Sequence, residues 1–176
     1  MGLTDGIYFL SYFIQYITLS FINSLIISII FILLIFTKIP FVVLFVFFFL
    51  YSINVFALAY CFQSFNEKTK ESLLLSLILY FIMFFLHMLV MSEYKSYSLK
   101  VGLSFFPPVI IYLTFNILGK FESNFLQFYY KDIFYTYTNY SIFTAYIMLI
   151  VDCLIYLFIG YYLQNVLKHE FGIRKP

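Results

Sequence analysis

The sequence predicts an all-α, polytopic membrane helix bundle with four spans plus a re-entrant helical hairpin. Composition is the first observation. Of 176 residues, 64% are hydrophobic and only 10% are charged, whereas a soluble domain has about half and about a quarter. A soluble fold of this size has too much surface for its volume to hide that much apolar area. The second observation is patterning. Gly6–Thr37, Ile39–Asn66, Ser72–Ser92, Val101–Gly119 and Ile133–Val151 carry no charge, and they are continuous rather than alternating, which favours helices over a barrel. The third is Pro107-Pro108, which divides one of these runs.

Taken in order, the first run is too long for one upright span, since about 20 residues cross a core of about 30 Å. Ile7–Tyr16, with Ser11 and Gln15, is expected to be an interfacial approach and residues 17–36 the span. Ser20, Ser24 and Ser28 fall every four residues on one face. Such a small-residue stripe lets another helix approach closely. Serines also bond back to their own helix. Pro40 suits the first turn of a second span, residues 40–62, because a first-turn residue needs no N–H. Asn66–Glu71 is a charged loop, and residues 72–91 form a third span. Two consecutive prolines cannot sit inside a regular helix. Residues 101–119 are therefore expected to be two short arms of a hairpin, each too short to cross. Lys120–Tyr140 mixes aromatic and charged residues, which suits a membrane–water interface. Residues 141–163 form the last span and 164–176 a polar tail.

An even number of spans puts both termini on one side. The lysines do not choose which: Lys68, Lys70, Lys168, Arg174 and Lys175 oppose Lys38, Lys95, Lys100, Lys120 and Lys131. The opening MGLTDG lacks the basic region of a signal peptide, and Gly6 stands where a myristoylation site has Ser or Thr. A net charge of +2 argues against nucleic acid as a partner. Cys61 and Cys153 lie in apolar runs and do not suggest a disulfide framework.

No GxxxxGK[ST], HExxH or GxSxG is present, and no His or Cys pair has metal-ligand spacing. No catalytic, cofactor-binding or metal-binding residue is therefore expected, and the chain is not expected to be an enzyme by itself. Two polar residues inside spans stand out as candidates. Asp152 is the one acidic residue within a span. An intramembrane carboxyl is costly and marks a functional site by default. Its structural role would be a packing carboxyl bonded to a neighbouring helix. His87 lies near one end of the third span. A proton-relay role needs an acidic neighbour, whereas a neutral imidazole bonded to a backbone carbonyl needs none. The two residues are expected at depths about 8 Å apart, too far for direct cooperation.

The order of parts resembles the membrane domain of A-subfamily ABC transporters. The last segment, MLIVDCLIYLFIGYYLQNVLKHEFGIRKP, is similar to that family's final helix, which carries an Asp and a Tyr and runs into a YL-x-x-V-x-P-x-E-Y/F-G juncture. Asp152, Tyr156, Tyr161, Tyr162, Leu163, Val166, Glu170, Phe171 and Gly172 match it, while Lys168 and His169 stand where the family often has Pro and Gly. The start, MGLTDGIYFLSYFIQY, resembles M-G-L-x-D-x-x-Y-W-x-S-W-F, with Phe9 and Tyr12 in place of tryptophans. Gly102–Pro108 resembles the break in the family's exocytoplasmic hairpin. The resemblance implies the third to sixth helices of a six-helix transport unit, both termini in the cytosol, and a lipid or other amphipathic substrate. It also implies partners: membrane lipids, the remaining transmembrane helices and an ATP-binding domain in cis or trans. Two other readings compete. One is a stand-alone membrane scaffold that uses the serine stripe and charged loops as contacts. The other is an intramembrane enzyme or proton-coupled carrier that uses Asp152 with His87.

Overall fold

The computed structural model describes residues 5–64, 69–92 and 94–166, and these are helical almost throughout. Six helices follow in order: α1 (Asp5–Leu34), α2 (Phe41–Gln63), α3 (Thr69–Phe85), α4 (Tyr97–Leu103), α5 (Pro107–Ser123) and α6 (Ile142–Val166). Two tight 3₁₀ turns, Leu86–Val90 and Tyr130–Phe134, join them. Four helical stretches are long and apolar enough to cross a membrane: Leu10–Leu34, Phe41–Gln63, Ser72–Val90 and Ile142–Gln164. The chain is a membrane protein of the expected all-α class.

Local chemistry sets each boundary. Helix α1 runs unbroken through Ile7–Tyr16, so the chain does not change conformation where the approach was expected to meet the span. Pro40 does not enter the first turn of α2. It is the extended residue before it, and its carbonyl accepts the Val43 amide. The third span narrows into a 3₁₀ turn over its last residues, Leu86–Val90. The hairpin arms are unequal, 7 and 17 residues, and reach beyond 101–119 at both ends. Their break lies at Ser104–Phe106, just ahead of the two prolines. Phe106 is extended, as the residue before proline must be, and Pro107 and Pro108 open α5, where missing N–H groups cost nothing. Half of the expected Asn66–Glu71 loop, residues 69–71, is already the first turn of α3; residues 66–68 and the tail beyond Val166 fall outside the described residues, as does the YL-x-x-V juncture past that point.

Helix α2 is the hub, packed on α1, α3, α5 and α6, with α6 the most extensive partner. Helices α2 and α6 run parallel. Near their starts the Tyr146 hydroxyl donates to Val43 O at 2.9 Å, and near their ends the Tyr60 hydroxyl donates to Gln164 Oε1 at 2.5 Å. That direction fixes the path between them. The α1–α2 connector defines one end of the bundle. Helix α2 leaves that end, α3 returns to it, and α6 starts from it. The α4–α5 segment must therefore go in and come back without crossing.

Contacts at both ends of the hairpin agree. The start of α4 lies beside the start of α6, where Asn139 Nδ2 donates to Lys95 O at 3.3 Å. The end of α5 meets the α1–α2 connector, where Glu122 accepts from the Thr37 hydroxyl at 2.6 Å and from the Lys38 amide at 3.1 Å. The Thr37 bond, with the Lys38 amide second, holds the Glu122 carboxyl below its ordinary value. The Phe128 amide then donates to Lys38 O at 3.1 Å. Midway along α5, the Phe115 ring is surrounded by Phe31, Phe36, Phe47 and Phe48, with centroids 5.3–6.2 Å away. Tilted and edge contacts of this kind are each worth about 0.5–1.5 kcal/mol.

Gly160 lets α2 and α6 approach. A Cβ there would stand 2.6 Å from Tyr60 Cδ1 and 3.2 Å from the Cys61 Cα. The ring can move aside, but the backbone cannot do so cheaply. Gly160→Val should destabilise the bundle by about 1–3 kcal/mol. Titration of the reconstituted chain with denaturing detergent checks this, and Tyr60→Ala in the same chain should restore part of the loss. An unchanged unfolding midpoint would show that the helices do not meet at Gly160.

Candidate functional site

Several buried polar groups, among them Lys100, Ser104 and the hydroxyls of Tyr140 and Tyr156, gather where the hairpin meets α6 and the turn before it. Three ties hold the tip. Ser104 Oγ donates to Lys100 O at 2.7 Å, closing the last turn of α4, and lies 2.8 Å from the Tyr140 hydroxyl. The Tyr156 hydroxyl donates to Phe105 O. Lys100, only 1% exposed, donates from Nζ to Thr138 O. That carbonyl is presented by a two-residue turn in which Tyr137 and Tyr140 exchange backbone hydrogen bonds and Thr138 and Asn139 take φ of 52° and 55°. Left-handed backbone is unfavourable for a β-branched residue. The Lys100 bond falls on this strained residue.

These ties measure how deep the hairpin reaches. Tyr156 stands 14 residues along α6 from Ile142, a rise of about 21 Å. The 17 residues of α5 span about 25 Å. Helix α4, which starts beside the start of α6, rises only about 10 Å over its 7 residues, and the Tyr156 side chain leans back toward the start of α6, so the tip lies inside the bundle and stops short of its far side. Non-helical backbone at that depth is tolerated only where protein satisfies it, and Tyr156 does this for Phe105.

Asp152 lies one turn before Tyr156 on the same face of α6 and is fully buried. Neither carboxyl oxygen has a hydrogen-bond partner. The bond to a neighbouring helix expected of a packing carboxyl is not made. On α2, Asn54 is also fully buried, and its Nδ2 donates to Leu149 O at 2.9 Å. Leu149 precedes Asp152 by three residues, so the Asn54 carboxamide sits within about one turn of the carboxyl. Asn54 Oδ1 also has no partner.

The other candidates are placed as follows. His87 lies in the 3₁₀ turn after α3, where Nδ1 is in hydrogen-bond contact with Phe84 O. Its ring packs on Phe84 and on Tyr112 of α5, with centroids 4.8 and 4.9 Å away. This is the backbone-bonded imidazole. Among the described residues, no hydrogen bond or ring contact joins His87 to Asp152, so the structure does not bring the proposed relay pair together. Ser20, Ser24 and Ser28 are all buried. Ser28 donates to Ser24 O at 2.6 Å and Ser24 to Phe21 O at 3.0 Å. Ser24 and Ser28 thus bond back to their own helix, and all three serines face the interior of the bundle. Cys61 and Cys153 are free thiols. Among the described residues, no group of three or more His, Cys, Asp or Glu is placed to hold a metal ion. No family model matches this chain, and no curated protein matches it in sequence.

Sequence reasoning missed Asn54, Lys100, Ser104 and Tyr140. Asn54 had a readable signal, as the first carboxamide in the α2 run. Lys100 had a misleading one, because an isolated lysine reads as the edge of a span. Tyr156→Phe should release the tip and raise amide exchange at Ser104–Phe106 about three- to tenfold, the factor for about 0.6–1.4 kcal/mol. Hydrogen-exchange mass spectrometry in nanodiscs checks this. Exchange unchanged at the tip would remove Tyr156 from the anchoring role.

Proposed function

We propose that the chain is a membrane-domain segment of an ABC-type transporter, moving lipids or other amphipathic molecules and driven by an ATP-binding domain in cis or trans. One observation carries the reading. A helical hairpin enters and leaves at the connector end, between the third span and the last, in the position implied by the resemblance of Gly102–Pro108. The resemblance of both end segments supports it. So do the large apolar faces of α1 and α3, where Leu33, Leu34, Leu73, Leu77 and Phe81 are exposed. Such faces suit the remaining helices of a transport unit and an amphipathic cargo that enters from lipid. In this reading both termini face the cytosol and the hairpin faces the opposite side.

The scaffold alternative relies on the serine stripe and the charged loops as contacts with partners. Ser20, Ser24 and Ser28 are inside the bundle instead, which favours the transporter. The test is to isolate the tagged chain from its native membranes into lipid nanodiscs and assay nucleotide hydrolysis. The expected result is an ATP-binding component, in the same polypeptide or tightly bound to it, whose hydrolysis responds to added lipid. A preparation that retains the folded bundle but neither binds nor hydrolyses ATP would overturn the proposal.

A further inference from the structure

The interior around Asp152 holds buried polar atoms that the hairpin ties leave without partners. Side-chain donors on α6, α2 and the hairpin are engaged elsewhere. The Tyr156 hydroxyl, one turn along α6, is on Phe105 O, and Asn54 Nδ2 is on Leu149 O. The Lys100 ammonium of the hairpin is on Thr138 O. Among the described residues, the buried polar atoms left without a partner are both oxygens of Asp152, Oδ1 of Asn54 and, on α5, Thr114 Oγ1 and Asn116 Oδ1. The Asp152 and Asn54 side chains are both 0% exposed. The orientation of Asn54 follows from its tether, since Leu149 O can only accept, so Nδ2 must face it and Oδ1 must face away.

We infer that Asp152 and Asn54 form an intramembrane site for a monovalent inorganic cation. Oxygen ligands of this kind select hard cations over soft ones. Charge selects valence. One carboxylate balances one positive charge, and a divalent ion would leave an unbalanced charge in a low-dielectric interior, where such charges are costly. Complete burial excludes a lipid headgroup, whose acyl chains could not follow it. The site joins α2 to α6 at the depth of the hairpin tip, so an ion there would lock the helix pair that carries the tip. The inference stands whether or not an ATPase drives the chain, because its readout is binding rather than transport.

The test uses the full chain in nanodiscs, with thermal unfolding followed in sodium, potassium or choline chloride at equal ionic strength. Sodium or potassium should raise the midpoint above choline in a saturable way, as a ligand that binds only the folded state does. Asp152→Asn should abolish that shift. Asn54→Leu, which removes one donor oxygen, should weaken the apparent affinity by about tenfold or more. Equal midpoints in all three salts would overturn the inference, and so would a shift that survives Asp152→Asn. Should a variant fail to fold, equilibrium binding of radioactive sodium and potassium to the unaltered chain decides. Saturation at one ion per chain supports the site, and the absence of saturable binding refutes it.

Discussion

The parallel seam between α2 and α6 is the contact on which the rest of the structure depends. In hydrocarbon, apolar surface gains little by leaving lipid for another helix, so helices associate through close packing and a few polar ties. This seam has both. Gly160 admits Tyr60 and the Cys61 backbone, while Tyr146, Asn54 and Tyr60 reach across to Val43, Leu149 and Gln164. Because the two helices run the same way, α3 must be the only complete crossing between them. The non-crossing path of α4 and α5 is a consequence of that direction. It is not a separate property of the prolines.

The hairpin then makes the interior polar. Burying a broken helix deep in a membrane brings unsatisfied backbone with it. The chain answers with side chains from the last span and the turn before it: Tyr156 for Phe105, Tyr140 beside Ser104, and Thr138 O for the Lys100 ammonium. Those bonds engage Tyr156 and Lys100, and the Asp152 carboxyl and Asn54 Oδ1, on the two helices of the seam, are left without a partner. The anchoring of the hairpin and the cation site are thus two results of one arrangement. The first satisfies backbone at depth, and the second follows from which groups remain.

The sequence made some of this legible. Continuous apolar runs located the four spans, and Pro107-Pro108 located the hairpin break to within a few residues. The serine spacing identified a buried face of α1. Other features were not local. Pro40 could stand before a helix or in its first turn, and only the extended backbone before Phe41 distinguishes the two. The 3₁₀ ending of the third span, with His87 on Phe84 O and against Tyr112, depends on how α5 packs there. Lys100 reads as a boundary charge because its acceptor, the Thr138 carbonyl, lies 38 residues away in a strained turn. Asp152 was visible as a lone carboxyl. That it would have no partner was not, because this depends on where Tyr156 and Asn54 direct their donors. The rings packed around Phe115 depend likewise on contacts between α1, α2 and α5.

The direction of α6 relative to α2 is the most direct test of the account. Spin labels can be placed in pairs at exposed positions of the two helices, Val42 with Phe143 and Ala59 with Tyr162. Cys61 and Cys153 would be replaced by alanine, and dipolar distances measured in nanodiscs. Both same-end pairs should be short, and the cross pair Val42 with Tyr162 should be roughly 30 Å or more apart, the rise of a spanning helix. A long distance within either same-end pair would mean that α5 crosses the membrane, and the parallel seam and the deep hairpin would both be wrong.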